Sequence, residues 1–157
     1  MAQEKPKSAE KIIAEHRRAK FDYFIEDTVE AGLSLMGSEV KSLRDGEVSL
    51  NDAYAEPSRN ELFLQNMHIG VFKPATVFGH LPLRPRKLLM HREQIDKWTA
   101  KVRERGYSII PLVIYFKGGK AKVKLGLVRG KKHEDRRETI KEREIKREMD
   151  RAIRPRR

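Results

Sequence analysis

Tyr107-Ser108-Ile109-Ile110-Pro111-Leu112-Val113-Ile114-Tyr115-Phe116-Lys117-Gly118-Gly119-Lys120-Ala121-Lys122-Val123-Lys124-Leu125-Gly126-Leu127-Val128 is the stretch whose reading decides the fold. Its two arms, Tyr107–Phe116 and Lys120–Val128, are rich in β-branched and aromatic residues, the types that fit a pleated, half-buried surface. Between them Gly118-Gly119 supplies the positive φ angles that a tight two-residue turn needs, which predicts a β-hairpin. The second arm alternates. Side chains two apart on a strand share a face, so Lys120, Lys122 and Lys124 line one side and Ala121, Val123 and Leu125 the other.

Working upstream, His91 to Arg105 reads as a helix with Ile95, Trp98 and Val102 on one face, stopped by Gly106. Gly70 to Arg86 is irregular, with Pro74, Pro82 and Pro85. Leu50–Ala55 and Glu61–Ile69 read as strands joined through Pro57-Ser58-Arg59-Asn60, a cluster of turn residues. Gly37 to Gly46 reads as a short helix, capped by Ser38 and closed by Gly46. Phe21–Ile25 is a strand that continues through Val29–Leu35 after a kink at Glu26-Asp27. This order predicts a mainly β protein with short helices, an OB-fold-like β-barrel. The predicted organisation is a flexible basic N-terminal segment (1–20), the barrel (21–130) and a basic C-terminal tail (131–157).

The tail boundary follows from charge. The chain has 157 residues, 35 Lys+Arg and 23 Asp+Glu, a formal net charge of +12. Residues 129–157 carry 13 basic and 7 acidic residues, so half of the excess sits there, and that stretch has no aromatic residue. Such a composition cannot bury enough apolar surface to order itself, so the tail is expected to be disordered until bound. Its few apolar residues include Ile145, Met149 and Ile153, a narrow helical stripe that is marginal in water. The whole chain is 38% hydrophobic and 37% charged, enough for one modest core. It shows no membrane-length apolar run and no secretory leader. With no cysteine, disulfides and thiolate metal sites are excluded.

Catalytic signatures are missing. The five histidines are scattered, and there is no phosphate-binding glycine loop or nucleophile elbow. His68, in an apolar strand, reads as a structural histidine. The basic groups point instead to an anionic partner. The lysine face of the last strand spaces its charges by about 6.6 Å, two strand rises, and suits a phosphate backbone. Arg17-Arg18-Ala19-Lys20 and Arg84-Pro85-Arg86-Lys87 add to it, while Phe21, Tyr23, Tyr54 and Phe63 offer stacking surfaces. A ribosome-bound structural OB-fold protein and a membrane-surface module share these traits. The tail's mixed charge and lack of Trp or Phe argue against the membrane.

Several motifs, taken in order, resemble the SmpB family of bacterial ribosome rescue. They are Asp22-Tyr23-Phe24-Ile25-Glu26, Glu30-Ala31-Gly32, Gly37-Ser38-Glu39-Val40-Lys41-Ser42-Leu43-Arg44, Asn66-Met67-His68-Ile69, Arg86-Lys87-Leu88-Leu89, Gly106-Tyr107 and Gly130-Lys131-Lys132 with Asp135-Arg136-Arg137. The resemblance implies an OB-type barrel that binds the tRNA-like domain of transfer-messenger RNA, without catalysis, cofactor or metal. It implies delivery of that RNA, charged and carried by elongation factor Tu, to stalled ribosomes in the cytoplasm. There the tail would enter the empty mRNA channel beside the decoding centre and become helical. It places RNA contacts at Glu30, Leu89 and Lys122, beside the basic residues Arg17, Arg18, Lys20 and Lys124. It places ribosome contacts at Lys131, Lys132, Asp135, Arg136, Arg137, Ile140 and Lys141. Arg136 stands where the family usually has Lys, and His16 where it commonly has Asn.

Overall fold

The structure is a computed structural model that describes residues 10–72, 79–104 and 106–153. Pro74, Arg105, residues 1–9 of the N-terminal segment and residues 154–157 of the tail lie outside the described residues. In chain order the elements are β1 (Lys11–Glu15), α1 (Ala19–Asp22), β2 (Tyr23–Leu33), α2 (Gly37–Arg44), β3 (Val48–Ser49) and β4 (Tyr54–Ser58). They continue with β5 (Glu61–Gln65), β6 (His68–Ile69), β7 (Arg86–Leu89), α3 (Arg92–Arg103), β8 (Tyr107–Lys117), β9 (Lys120–Gly130) and α4 (His133–Ile153).

β8 and β9 form the expected hairpin. Lys117 faces Lys120 across Gly118 and Gly119, whose φ angles are 58° and 75°. The sheet runs β8-β4-β5-β7-β2-β9, and the β8–β9 pairing closes it into a ring, with every pairing antiparallel. Closure leaves the ring no free edge. The expected kink in β2 is a bulge: the β2–β9 register shifts between Ile25 and Asp27. A second bulge, between Pro111 and Val113, lets β8 carry a proline inside a central strand.

Leu62, Leu64, Leu88, Ile109, Ile114, Val123 and Leu125 fill the interior. α3 closes one side with buried Ile95 and Trp98, and Val102 packs beside them. Each fully buried Leu or Ile contributes roughly 1.5–3 kcal/mol. α2 brings buried Leu43 to the same core.

Four readings are corrected. Ser38 does not cap α2: the N-cap is Met36, whose amide donates to Glu39 Oε1 at 2.9 Å, while Ser38 Oγ lies 2.9 Å from His80 Nδ1. The turn after β4 is only Arg59-Asn60, both at positive φ, with Pro57 and Ser58 still paired to β5. His68 is exposed. His80 is buried instead, and its Nε2 donates to the carbonyl of Ile69 at 3.0 Å. Residues 11–15, expected in a flexible segment, form β1 along β8, because Ile13 and Ala14 find an apolar face there.

The tail is helical from His133 to Ile153. The sequence leads to the expectation of a segment that becomes helical on its partner, and in the structure the barrel holds its first turns. Lys131 N donates to Asp22 O at 2.9 Å, and Asp135 accepts from Lys132 N at 3.1 Å. These contacts begin the helix, and nucleation is the costly step.

Candidate nucleic-acid interface

Glu30, Leu89 and Lys122 come together. β2 pairs with β9 so that Gly32 faces Lys122 and Glu30 faces Lys124. On its other edge β2 pairs with β7, and there Gly32 faces Leu89. Leu89, Gly32 and Lys122 therefore form one cross-strand row, with Glu30 two residues along on the same face. A Cβ at position 32 would stand 3.2 Å from Leu89 Cβ, so glycine is what lets the strand pass beneath that side chain. The row crosses an open groove of about 580 Å³. Glu30 and Lys122 line one side; Lys87, His91 and Arg92 line the other. Leu89 is 52% exposed while its neighbour Leu88 is fully buried.

Two further depressions of about 420 Å³ each continue the surface. The first is lined by Glu30, Tyr115 and Lys124. The second is lined by Lys124, Arg17, Lys20 and His16, whose Nδ1 is buried without a hydrogen-bond partner among the described residues. A path of cations thus runs from Lys122 past Lys124 to Arg17 and Lys20. Arg18 is turned away. Its guanidinium lies over the Phe21 ring at 5.3 Å, and its Nε is 4.0 Å from Asp22.

Glu30 sits among these cations as a held carboxylate. Tyr115 Oη donates to its Oε2, and Lys117 Nζ is 3.4 Å from the same oxygen. The tyrosine hydrogen bond, then Lys117 and Lys122, hold the Glu30 carboxyl below the usual carboxylate range against partial desolvation. Burial and the Glu30 charge together push the Tyr115 hydroxyl well above its usual value. Sequence reasoning missed Tyr115, and its only signal was a polar tip on a mostly apolar strand.

The Arg84–Lys87 group divides. Arg86 is fully buried: its Nε donates to Glu39 Oε2, its Nη1 to Met67 O and its Nη2 to Pro82 O. Arg84 also pairs with Glu39. Only Lys87 reaches the groove, so that basic run is largely structural. Burial opposes the Glu39 charge, but the Met36 amide and the two arginines outweigh it and hold its carboxyl below the usual range. None of Phe21, Tyr23, Tyr54 or Phe63 lines the groove. Phe21 is instead covered by Arg18 and Arg143.

In the tail, three of the proposed contact residues build the base of α4. Lys131 Nζ donates to Lys20 O and Thr139 Oγ1, both at 2.8 Å, and lies 5.0 Å from the Phe24 ring centre. Asp135 caps the first turn, and Arg136 Nη2 is 3.8 Å from Asp22 Oδ1. Lys132, Arg137, Ile140 and Lys141 lie on the exposed side. Among the described residues no helix is long and apolar enough to cross a membrane, and no cluster of His, Cys, Asp and Glu has the arrangement of a metal site.

The chain is similar to known proteins over most of its length. An SsrA-binding protein of Myxococcus xanthus is 69% identical over 146 residues, covering 93% of this chain and 90% of the relative. One from Geobacillus kaustophilus is 49% identical over 151 residues, covering 96% of this chain and 97% of the relative. A solved chain described as "tmRNA-SmpB: a journey to the center of the bacterial ribosome" is 43% identical, with a TM-score of 0.66, and the match covers 78% of this chain and 85% of that one. The model of the SmpB protein family matches residues 13–155, and the chain belongs to that family.

Proposed function

We propose that the protein binds the tRNA-like domain of transfer-messenger RNA along the surface from Leu89 to Lys20. It carries that RNA to stalled ribosomes for trans-translation. The observation that carries this reading is the meeting of Glu30, Leu89 and Lys122 in one groove, from strands distant in sequence. The relatives' name, SsrA-binding protein, supports the same partner. In this reading the lysines contact phosphates, and Glu30 accepts from amino or imino groups of an unpaired loop base. Lys132 and the exposed face of α4, with Arg137, Ile140 and Lys141, enter the vacant mRNA channel beside the decoding centre. Elongation factor Tu joins through the charged RNA. The protein works in the cytoplasm by binding alone, without a chemical step or cofactor.

The test is to purify the protein from its cells and sequence the RNA that comes with it. Enrichment of transfer-messenger RNA is expected. Ribosomal RNA without it would favour a structural ribosomal role and overturn this reading.

A further inference from the structure

On the basic face, Glu30 lies directly opposite Lys124 in the β2–β9 pairing, two residue pairs from Lys122. Directly opposed charges of opposite sign on a sheet pair readily. Yet among the described residues no ion pair joins Glu30 to Lys122 or Lys124; the salt bridge it makes is to Lys117. The reason is geometric. Tyr115 sits on β8 opposite Lys122, on the far side of β9 from Glu30. Its side chain reaches across β9 to donate to Glu30 Oε2. The Tyr115–Glu30 bridge therefore crosses β9, with Lys122 in the groove to one side and Lys124 in the depression to the other. Lys117 takes the same oxygen and is itself shared with Glu10 at 3.8 Å.

We infer that Tyr115 is a positioning residue for RNA binding: it draws the Glu30 carboxylate away from Lys122 and Lys124 and so keeps both lysines available for phosphate. This deepens the proposed function and rests on it. With the hydroxyl gone, the carboxylate swings to the nearest lysines and neutralises them. A lysine already paired within the protein releases fewer counterions when RNA binds, so the salt dependence of binding should flatten. With Oε2 held by the phenol, Oε1 is left to accept from a base at the groove that Glu30 lines.

The experiment titrates the full-length protein with a transcribed tRNA-like domain of Myxococcus xanthus transfer-messenger RNA at several salt concentrations. Tyr115→Phe keeps the ring and its packing. It should weaken binding about tenfold and flatten the slope of log K against log[salt] by about one unit. The decisive variant is the double mutant Tyr115→Phe/Glu30→Gln. With no carboxylate to capture the lysines, its slope should return to the wild-type value, although its affinity does not. A merely structural role for Tyr115 predicts no such rescue. An unchanged slope in Tyr115→Phe, or a flattened slope that Glu30→Gln fails to restore, overturns the inference. If Tyr115→Phe loses the fold by circular dichroism, Glu30→Gln alone carries the test. With the carboxylate already held by Tyr115 and not neutralising the lysines, its salt slope should match wild type; a steeper slope, which would show that Glu30 already neutralises a lysine in the wild-type protein, also overturns the inference. Lys122→Ala is the control for the underlying reading: no change in its slope would sink the phosphate role itself, independently of Tyr115.

Discussion

At the scale of single residues, the buried Glu39–Arg86 pair and the exposed Lys122 call for opposite experiments. Both side chains of the pair are removed from solvent, and removing one partner of a buried pair leaves the other charge uncompensated. Glu39→Gln should therefore cost about 3–5 kcal/mol at neutral pH. The Glu39 carboxyl is held below the usual carboxylate range. Its contribution to stability is thus fully present above the unfolded-state pKa and fades as pH falls through the lower folded value. Denaturant unfolding at pH 7 and near pH 3 should show the gap between wild type and Glu39→Gln narrowing in acid; a gap that widens would contradict the assignment. Lys122→Ala should leave stability almost unchanged and lower the salt slope of RNA binding by about one unit. Of these residues, Lys122 was legible in the sequence because alternation alone puts it on a charged face. Glu30 was named only through family resemblance, since its partner Tyr115 lies 85 residues away along the chain.

At the scale of elements, the hairpin was legible because glycine chemistry and alternation agree there. β7 was not. Its burial alternates as a strand should, with Arg86 and Leu88 inward and Lys87 and Leu89 outward, but the two end residues, Arg86 and Leu89, break the polarity rule. Arg86 is inside to meet Glu39, and Leu89 is outside to line the groove. A pattern read from hydrophobicity sees Arg-Lys-Leu-Leu as no strand at all. The same cause hid the split of the Arg84–Lys87 group. α4 reads from the sequence as a separate, charge-rich segment; its anchoring to α1 depends on Asp22 and Phe21, which no local pattern links to residue 131 or 143. Ile145→Pro tests what the segment does. A proline in a helix interior costs about 3 kcal/mol, so helical circular dichroism should fall. The barrel's melting temperature and its affinity for free RNA should stay the same. Tag addition on ribosomes stalled at the end of a truncated mRNA should be lost, and normal tagging would remove the tail from the mechanism.

Across the whole molecule, a net charge of +12 is divided between a rigid path on the barrel and a projecting helix. If the barrel path meets about 4–6 phosphates, log K should fall with log[salt] at a slope of roughly −3 to −5. Titrations from low to moderate salt would show this, and a slope near zero would exclude phosphate tracking. The projecting helix has a different consequence. α4 has 21 residues, a rod of about 30 Å at 1.5 Å per residue. Its described ties to the barrel, through Lys131, Arg136 and Arg143, all lie in its first half or just before it. Beyond Arg143 the remaining ten residues make a lever of about 15 Å, and a bend of about twenty degrees there would carry the far end some 5 Å sideways, roughly one helical pitch. An angular error too small to disturb the groove becomes, at Met149 or Ile153, a miss by a whole turn. The aim of this lever is set by the few contacts around Asp22, far from the tip that has to arrive.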